Sequence, residues 1–271
     1  MQDGNYTIEE IAPQVYAIDD AAQESMYLVC GTEKALLIDT GSCRQQVMPT
    51  VRKLYTGPVE LALTHGHYDH LYHADEFQTV YLHPADYRVW ITAMYPICLS
   101  CDLGQKRLPK RYYPGRFLPL SEGDVFDLGG KTISVIAAPG HTPGSVIFVD
   151  RGDKLLFTGD AFGSGEVIWG WMPGCLKLSE YRKSLQTFIP KLQPMEDFGF
   201  YGGHRLQGVP REHHPLAGPL TLDVARDLEV LCGKLLAGPM EPIRVQRILG
   251  IRVETYQYGR ATLVCRRANI R

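Results

Sequence analysis

The ten residues LALTHGHYDH (61–70) hold three histidines and one aspartate within their last six positions, directly behind a short apolar run. A strand ending at Thr64 puts His65 and His67 on one side of an extended chain, because alternate side chains share a face. Gly66 between them allows a tight turn, and Asp69 and His70 fall where a helix begins. Imidazole nitrogens and a carboxylate converging at a strand end are the donor set of a zinc-class cation. Three further apolar runs end in the same way. His141 follows ISVIAA in APGHTPGS, Asp160 closes LLFTGD, and His204 closes FYGGH. Each stands beside a glycine that lets backbone and cation approach. Five of the nine histidines occupy these positions, and isolated structural histidines have no reason to gather so.

The elements that must position these groups read as two α/β halves. QVYAID, SMYLVCG and KALLIDTG are short apolar strands with GTEK (31–34) as a hairpin turn, followed by a polar helix around 42–56 that stops at TGP. VELALT and TVYLH (79–83) are near-continuous apolar runs, the pattern of strands covered on both faces. The β pattern resumes in VFDLGGKTISVIAAPG, SVIFVD and KLLFTGD, with DLGGKT a hairpin turn. Residues 179–193 and 220–237 carry helical apolar spacing, FGFYGGH (198–204) is a strand running into a glycine turn, and the tail gives two or three final strands. Two similar halves packed sheet to sheet, with helices outside, satisfy this order.

Composition narrows the function. With 271 residues, 45% hydrophobic and 21% charged, the chain can bury a sizeable core. A net charge of −2 and a pI near 6.5 give no bulk electrostatic reason for nucleic acid or an anionic membrane as partner. The polar, acidic start lacks the pattern of a secretory signal. No apolar run approaches the roughly 20 residues that span a bilayer, so the reading is cytoplasmic. Seven scattered cysteines fit reduced thiols better than a disulfide framework, and the single CLSC pair, Cys98 and Cys101, reads as a bystander.

Taken together, the motifs resemble the metallo-β-lactamase superfamily. The resemblance runs from about residue 10 to residue 210 and rests on LLIDTG (36–41), the HxHxDH signature (65–70), PGHTPGS (139–145), FTGD (157–160) and GGH (202–204). The implied fold is α/β, a four-layer αββα sandwich of two mixed β-sheets packed face to face with helices outside. It forms a single domain over 1–271, with a lid or substrate loop at 84–118 and a C-terminal helix plus strands at 213–271. Carried over by position, His65, His67 and His141 hold one divalent metal and Asp69, His70 and His204 a second. Asp160 bridges them, and Asp39 supports the ligands from outside. The implied ions are two Zn2+, with Fe or Mn as alternatives.

The implied chemistry is hydrolysis. Two such ions about 3.5–4 Å apart share a hydroxide that attacks a carbonyl, with Asp69 as the catalytic group that orients it and shuttles a proton. True β-lactamases of the superfamily generally lack the aspartate of the TGD position. Asp160 therefore points to the glyoxalase II and lactonase branch, and to an ester, thioester or lactone of a small molecule. A mononuclear-iron sulfur dioxygenase, a phosphodiesterase and a β-lactamase of the same fold are the alternatives. Tyr68, His73 and Trp169 are candidate substrate contacts. Trp171 and KRYYPGRF (110–117) are further candidates to roof the metals, and many relatives carry glycine where His73 stands. The tail after 205 can complete the second sheet, cover the pocket or form a homodimer contact, and the sequence leaves these open.

Overall fold

The computed structural model describes residues 1–89, 117–163, 168–172, 174–204, 220–248 and 250–270. Five strands open the chain and pair antiparallel in order: β1 (Gln2–Asp3), β2 (Tyr6–Ala12), β3 (Val15–Asp19), β4 (Ser25–Cys30) and β5 (Ala35–Ile38). Helix α1 (Met48–Leu54) then changes the connection. β6 (Val59–Ala62) pairs parallel with β5, the one-turn helix α2 (Tyr68–Leu71) follows, and β7 (Val80–Leu82) and β8 (Leu118–Pro119) add in parallel to complete an eight-stranded sheet.

The second sheet begins with β9 (Val125–Asp127), β10 (Thr132–Ala137), β11 (Val146–Asp150) and β12 (Leu155–Gly159), paired antiparallel. β13 (Ile168–Gly170) leaves it, helix α3 (Leu178–Leu192) crosses its outer face, and β14 (Gly199–Gly202) returns to pair parallel with β12. Helix α4 (Leu222–Ala237) precedes β15 (Arg244–Ile248), β16 (Ile251–Tyr258) and β17 (Ala261–Cys265), which with β13 make a separate four-stranded sheet.

Period-two alternation explains the layers. In β4, Tyr27 and Val29 face the second sheet, while Met26, Leu28 and Cys30 face α1 and α2. In β11, Val146 and Phe148 meet the first sheet, while Ile147 and Val149 lie under α3 and α4. Both strands are buried throughout, which is why they read as unbroken apolar runs. Helix α3 presents Leu178, Tyr181, Leu185, Phe188 and Leu192 inward at three- and four-residue spacing. Each fully buried Leu or Phe contributes about 1.5–3 kcal/mol through lost contact with water. The result is helices, sheet, sheet, helices.

Three expectations shift. The helix foreseen around 42–56 starts only at Met48, because the Ser42 and Cys43 amides donate to Asp20 and Pro49 opens the first turn. The tail does not complete the second sheet but joins β13 in the third. Of the segment expected as a lid, residues 84–89 are built into the fold; 90–116, with Cys98 and Cys101, lie outside the described residues, as does the 213–219 part of the C-terminal region. Among the described residues no helix is long and apolar enough to cross a membrane.

Candidate metal centre

Every candidate ligand follows the C-terminal end of a strand. His65, His67, Asp69 and His70 follow β6, His141 follows β10, Asp160 follows β12 and His204 follows β14. Within the second sheet β10, β12 and β14 run the same way, so their last residues share one edge. Hydrogen bonds join that edge to the first sheet: Val146 N donates to Thr64 O at 2.9 Å, Ser25 N to Gly203 O at 2.9 Å, and the Tyr27 hydroxyl to Gly202 O.

The seven side chains meet. One ligand atom from each of His65, His67 and His141 lies within 4.8 Å of the others, and the same holds for Asp69, His70 and His204 and for His65, His70 and Asp160. His67 Nδ1 and His141 Nε2 are 2.7 Å apart, a separation at which two lone pairs need a proton or a cation between them. His204 Nε2 lies 3.6 Å from Asp69 Oδ2. Asp39, expected to support the ligands from outside, does so directly. Its Oδ2 lies 2.9 Å from His70 Nδ1 and accepts from Thr64 Oγ1 at 2.7 Å, while Oδ1 accepts from Thr64 N at 2.8 Å. Thr64 Oγ1 in turn lies 3.0 Å from His65 Nδ1. Asp39 adopts φ +62°, a left-handed conformation that non-glycine residues hold at a cost of about 1–3 kcal/mol.

This anchoring of Nδ1 leaves Nε2 of His65 and of His70 buried without a hydrogen bond. A buried ring nitrogen without a partner is costly, and a cation satisfies it. Burial, then the imidazoles of His70, His67 and His141, hold His65 well below the usual histidine range, so it is a neutral donor. Burial works against charging His70, but Asp69, Asp160 and Asp39 outweigh it and hold His70 well above that range. Burial likewise opposes charge on Asp160, yet His204 and His70 hold its carboxyl well below the usual value. His65 is thus a neutral donor beside carboxylates held ionised, and a divalent cation in the cluster would take the place of the proton that these carboxylates hold on His70.

Residues 19–204, more than half of the chain, match the Metallo-beta-lactamase superfamily. The chain belongs to this superfamily. Similar proteins include acyl-coenzyme A thioesterase MBLAC2 of Gallus gallus, 28% identical over 72% of this chain and 79% of that one. Hydroxyacylglutathione hydrolase GloC of Haemophilus influenzae is 27% identical over 65% and 82%. Among solved structures, ST1585 of Sulfolobus tokodaii shares the fold, with a TM-score of 0.56 and 17% identity over 89% of this chain and 92% of that one. TTHA1623, solved in a di-iron-bound form, gives a TM-score of 0.53 and 25% identity over 81% and 96%. The chain is a metal-dependent hydrolase of the metallo-β-lactamase superfamily, and the histidine and aspartate cluster is its candidate metal site.

The three candidate substrate contacts fare differently. Tyr68 is half-buried and packs edge-on against Tyr72, with ring centroids 5.2 Å apart. Trp169 belongs to β13 by its backbone, and its side chain lies outside the described residues. Trp171, a candidate to roof the metals, is instead buried against Val253 and Val264 of the third sheet. His73 is buried with both ring nitrogens engaged: Nε2 lies 2.7 Å from Cys43 O and Nδ1 2.8 Å from Glu76 Oε1. That leaves a substrate no nitrogen to bind. Both partners are acceptors, so both nitrogens carry protons and the ring is cationic. Glu76 also accepts from Met48 N at the start of α1, so His73 ties this superfamily member's signature helix to α1 and the Cys43 loop.

Burial alone would lower the His73 pKa, but Cys43 and Glu76 raise it to about 9, against 6.5 for the free side chain. The stabilisation is therefore complete below pH 6.5 and is lost as pH rises through about 9. Relative to His73→Gln, the wild type is expected to gain about 2–3 kcal/mol at pH 6, progressively less from pH 6.5 upward, and little above about pH 9. Urea unfolding of both proteins across this range checks it, and a difference that stays flat sinks the ion-pair assignment.

Two carboxylates near the site escape the sequence motifs. Glu24 is 8% exposed and lies opposite His204 in an isolated β-bridge. Burial, then Asp20 and Asp69, push its carboxyl up to about 8 against the pull of His204. Asp86 is fully buried behind the signature loop. It also changes the reason for Gly66: a Cβ there would stand 3.0 Å from Asp86 Cβ and from its carbonyl oxygen, so Gly66 serves close approach rather than an unusual turn. No local pattern marks either acid, since His204 and Asp69 opposite Glu24, and Gly66, Thr142 and Gly144 around Asp86, are distant in sequence.

Proposed function

We propose that the chain is a dinuclear zinc hydrolase that cleaves a small thioester, ester or lactone, in line with the acyl hydrolysis named in two relatives. One observation carries the second ion. A single oxygen, Asp160 Oδ2, lies 3.4 Å from His141 Nε2, 3.7 Å from His70 Nε2 and 3.3 Å from His204 Nε2. One carboxylate thus faces histidines of both triads, as a bridging ligand must. The di-iron form of TTHA1623 supports two metal positions in a related chain and makes iron the ion to test against zinc.

His65, His67 and His141 would hold one cation, Asp69, His70 and His204 the other, and Asp160 both. When bound, such a pair supplies Lewis acidity that acidifies a water and polarises a carbonyl oxygen. Asp69 is 31% exposed in its side chain, against 4% for Asp160. It is the ligand carboxylate a substrate meets. Its oxygen orients the attacking water, accepts a proton and returns it to the departing thiolate or alkoxide. His70 and His65 stay fixed meanwhile, because Asp39 and Thr64 hold their far nitrogens.

The decisive experiment is a hydrolysis screen over thioesters, esters, lactones, β-lactams and phosphodiesters, with elemental analysis of protein purified without added metal. Cleavage of a thioester, ester or lactone with two zinc ions per chain is the expected result, lost on chelation and restored by Zn2+. One iron per chain with oxidation of a sulfur substrate would overturn it in favour of a dioxygenase.

A further inference from the structure

Asp86 occupies the turn after β7 (Pro84–Asp86) and is fully buried. Its Oδ2 accepts from Gly66 N at 2.7 Å and from Thr142 Oγ1 at 2.6 Å, and its Oδ1 accepts from Gly144 N at 2.7 Å. Gly66 separates His65 from His67, and Thr142 follows His141. One carboxylate therefore grips both loops that carry the three-histidine triad, one after β6 in the first sheet and one after β10 in the second. The fit is close on both sides. A Cβ on Gly144 would stand 2.7 Å from Asp86 Cγ and Oδ1, and one on Gly66 3.0 Å from Asp86 Cβ. Thr142 is itself held by Ser145, whose Oγ lies 2.8 Å from Thr142 Oγ1 and accepts from Thr142 N at 3.1 Å.

We propose that Asp86 is a positioning residue that sets the spacing of His67 and His141 and thereby the cation affinity of the three-histidine triad, leaving the Asp69, His70 and His204 triad to Asp39. This rests on the two-cation reading above. The two outer carboxylates touch different ligands. Asp39 bonds to His70 directly and reaches the three-histidine triad only at His65, through Thr64, whereas Asp86 bonds to backbone amides and the threonine in the loops of His67 and His141. An asparagine at 86 has one acceptor oxygen for three donors, and its NH2 group must face at least one of them. The loops are then pushed apart at the point where two imidazole nitrogens approach to 2.7 Å.

The test uses the full chain loaded with Zn2+ or Co2+ and dialysed against graded chelator, comparing wild type with Asp86→Asn and Thr142→Val. Metal per chain is read by elemental analysis, and the visible spectrum of Co2+ reports which triad empties. Asp86→Asn is expected to lose the three-histidine ion at roughly 10- to 100-fold lower chelator, the range seen when outer support of a metal ligand is removed. The second ion should keep its wild-type midpoint. Thr142→Val, which removes one donor and keeps the shape, should shift the same ion less, and it carries the test if Asp86→Asn does not fold. Wild-type midpoints in both variants, even with a lowered Tm, would overturn the proposal and leave Asp86 a packing residue. Equal shifts of both ions would overturn it too. A wild type that holds one ion per chain would sink the two-cation reading alone, since the shift of that ion in its triad still decides Asp86.

Discussion

Replacing Asp160 by asparagine is expected to lower kcat/KM by at least about a thousandfold, about 4 kcal/mol of transition-state stabilisation, and to reduce the metal bound per chain. The side chain keeps its volume, so packing at this buried position survives. What goes is a negative charge within 3.3–3.7 Å of three histidine nitrogens. Two divalent ions close together repel, and a shared carboxylate offsets that repulsion at short range. Purified variant assayed beside wild type, with metal content measured on the same samples, checks this. Retention of both full metal load and full activity would show that Asp160 does not bridge.

Gly203→Ala is expected to cost about a hundredfold or more in kcat/KM, the scale on which a misplacement near 1 Å slows an enzyme. A Cβ at this position would lie 2.4 Å from Asp160 Oδ1 and 2.7 Å from His70 Cε1. The crowding is not relieved cheaply: His70 is held by Asp39, and the Gly203 backbone is fixed on both sides, its N–H donating to Gly159 O and its carbonyl accepting from Ser25 N. Gly238→Ala is the control. Its φ of 172° is extended, and a Cβ there would meet nothing within 4 Å. That variant should keep full activity and gain about 0.4–1 kcal/mol from a stiffer unfolded chain. Equal activity in the two variants would show that the crowding at Gly203 is relieved by small shifts.

The convergence of the candidate ligands was legible because each motif puts a histidine or aspartate close to glycine at the end of an apolar run, and the sheets bring such ends to one edge. HxHxDH, His141, Asp160 and His204 all follow that rule. Asp86 and Glu24 do not. They are single acids in unremarkable stretches, HPAD and AQES, and only tertiary structure brings them to the site. The shortened first helix has the same cause, since side chains from elsewhere, Asp20 and Glu76, claim the amides that open it. Pairing of β13 with β17 was beyond periodicity, because a parallel partner so distant in sequence leaves no local trace. His73 shows the reverse error: proximity to the signature suggested contact with substrate, whereas two nearby acceptors bind both its nitrogens.

The division of donors between the sheets has a kinetic side. Either triad takes two side chains from the first sheet and one from the second. A cation in either triad is then tethered to both halves of the molecule, and neither half alone retains a complete coordination shell. Separation of the halves would release any ion held there, so free metal at a hundred times its dissociation constant would add about 2.7 kcal/mol per bound ion against opening. Resistance of the folded chain to heat or protease should therefore rise with the concentration of the metal it binds, and a bound cation would double as the latch that keeps its own scaffold shut.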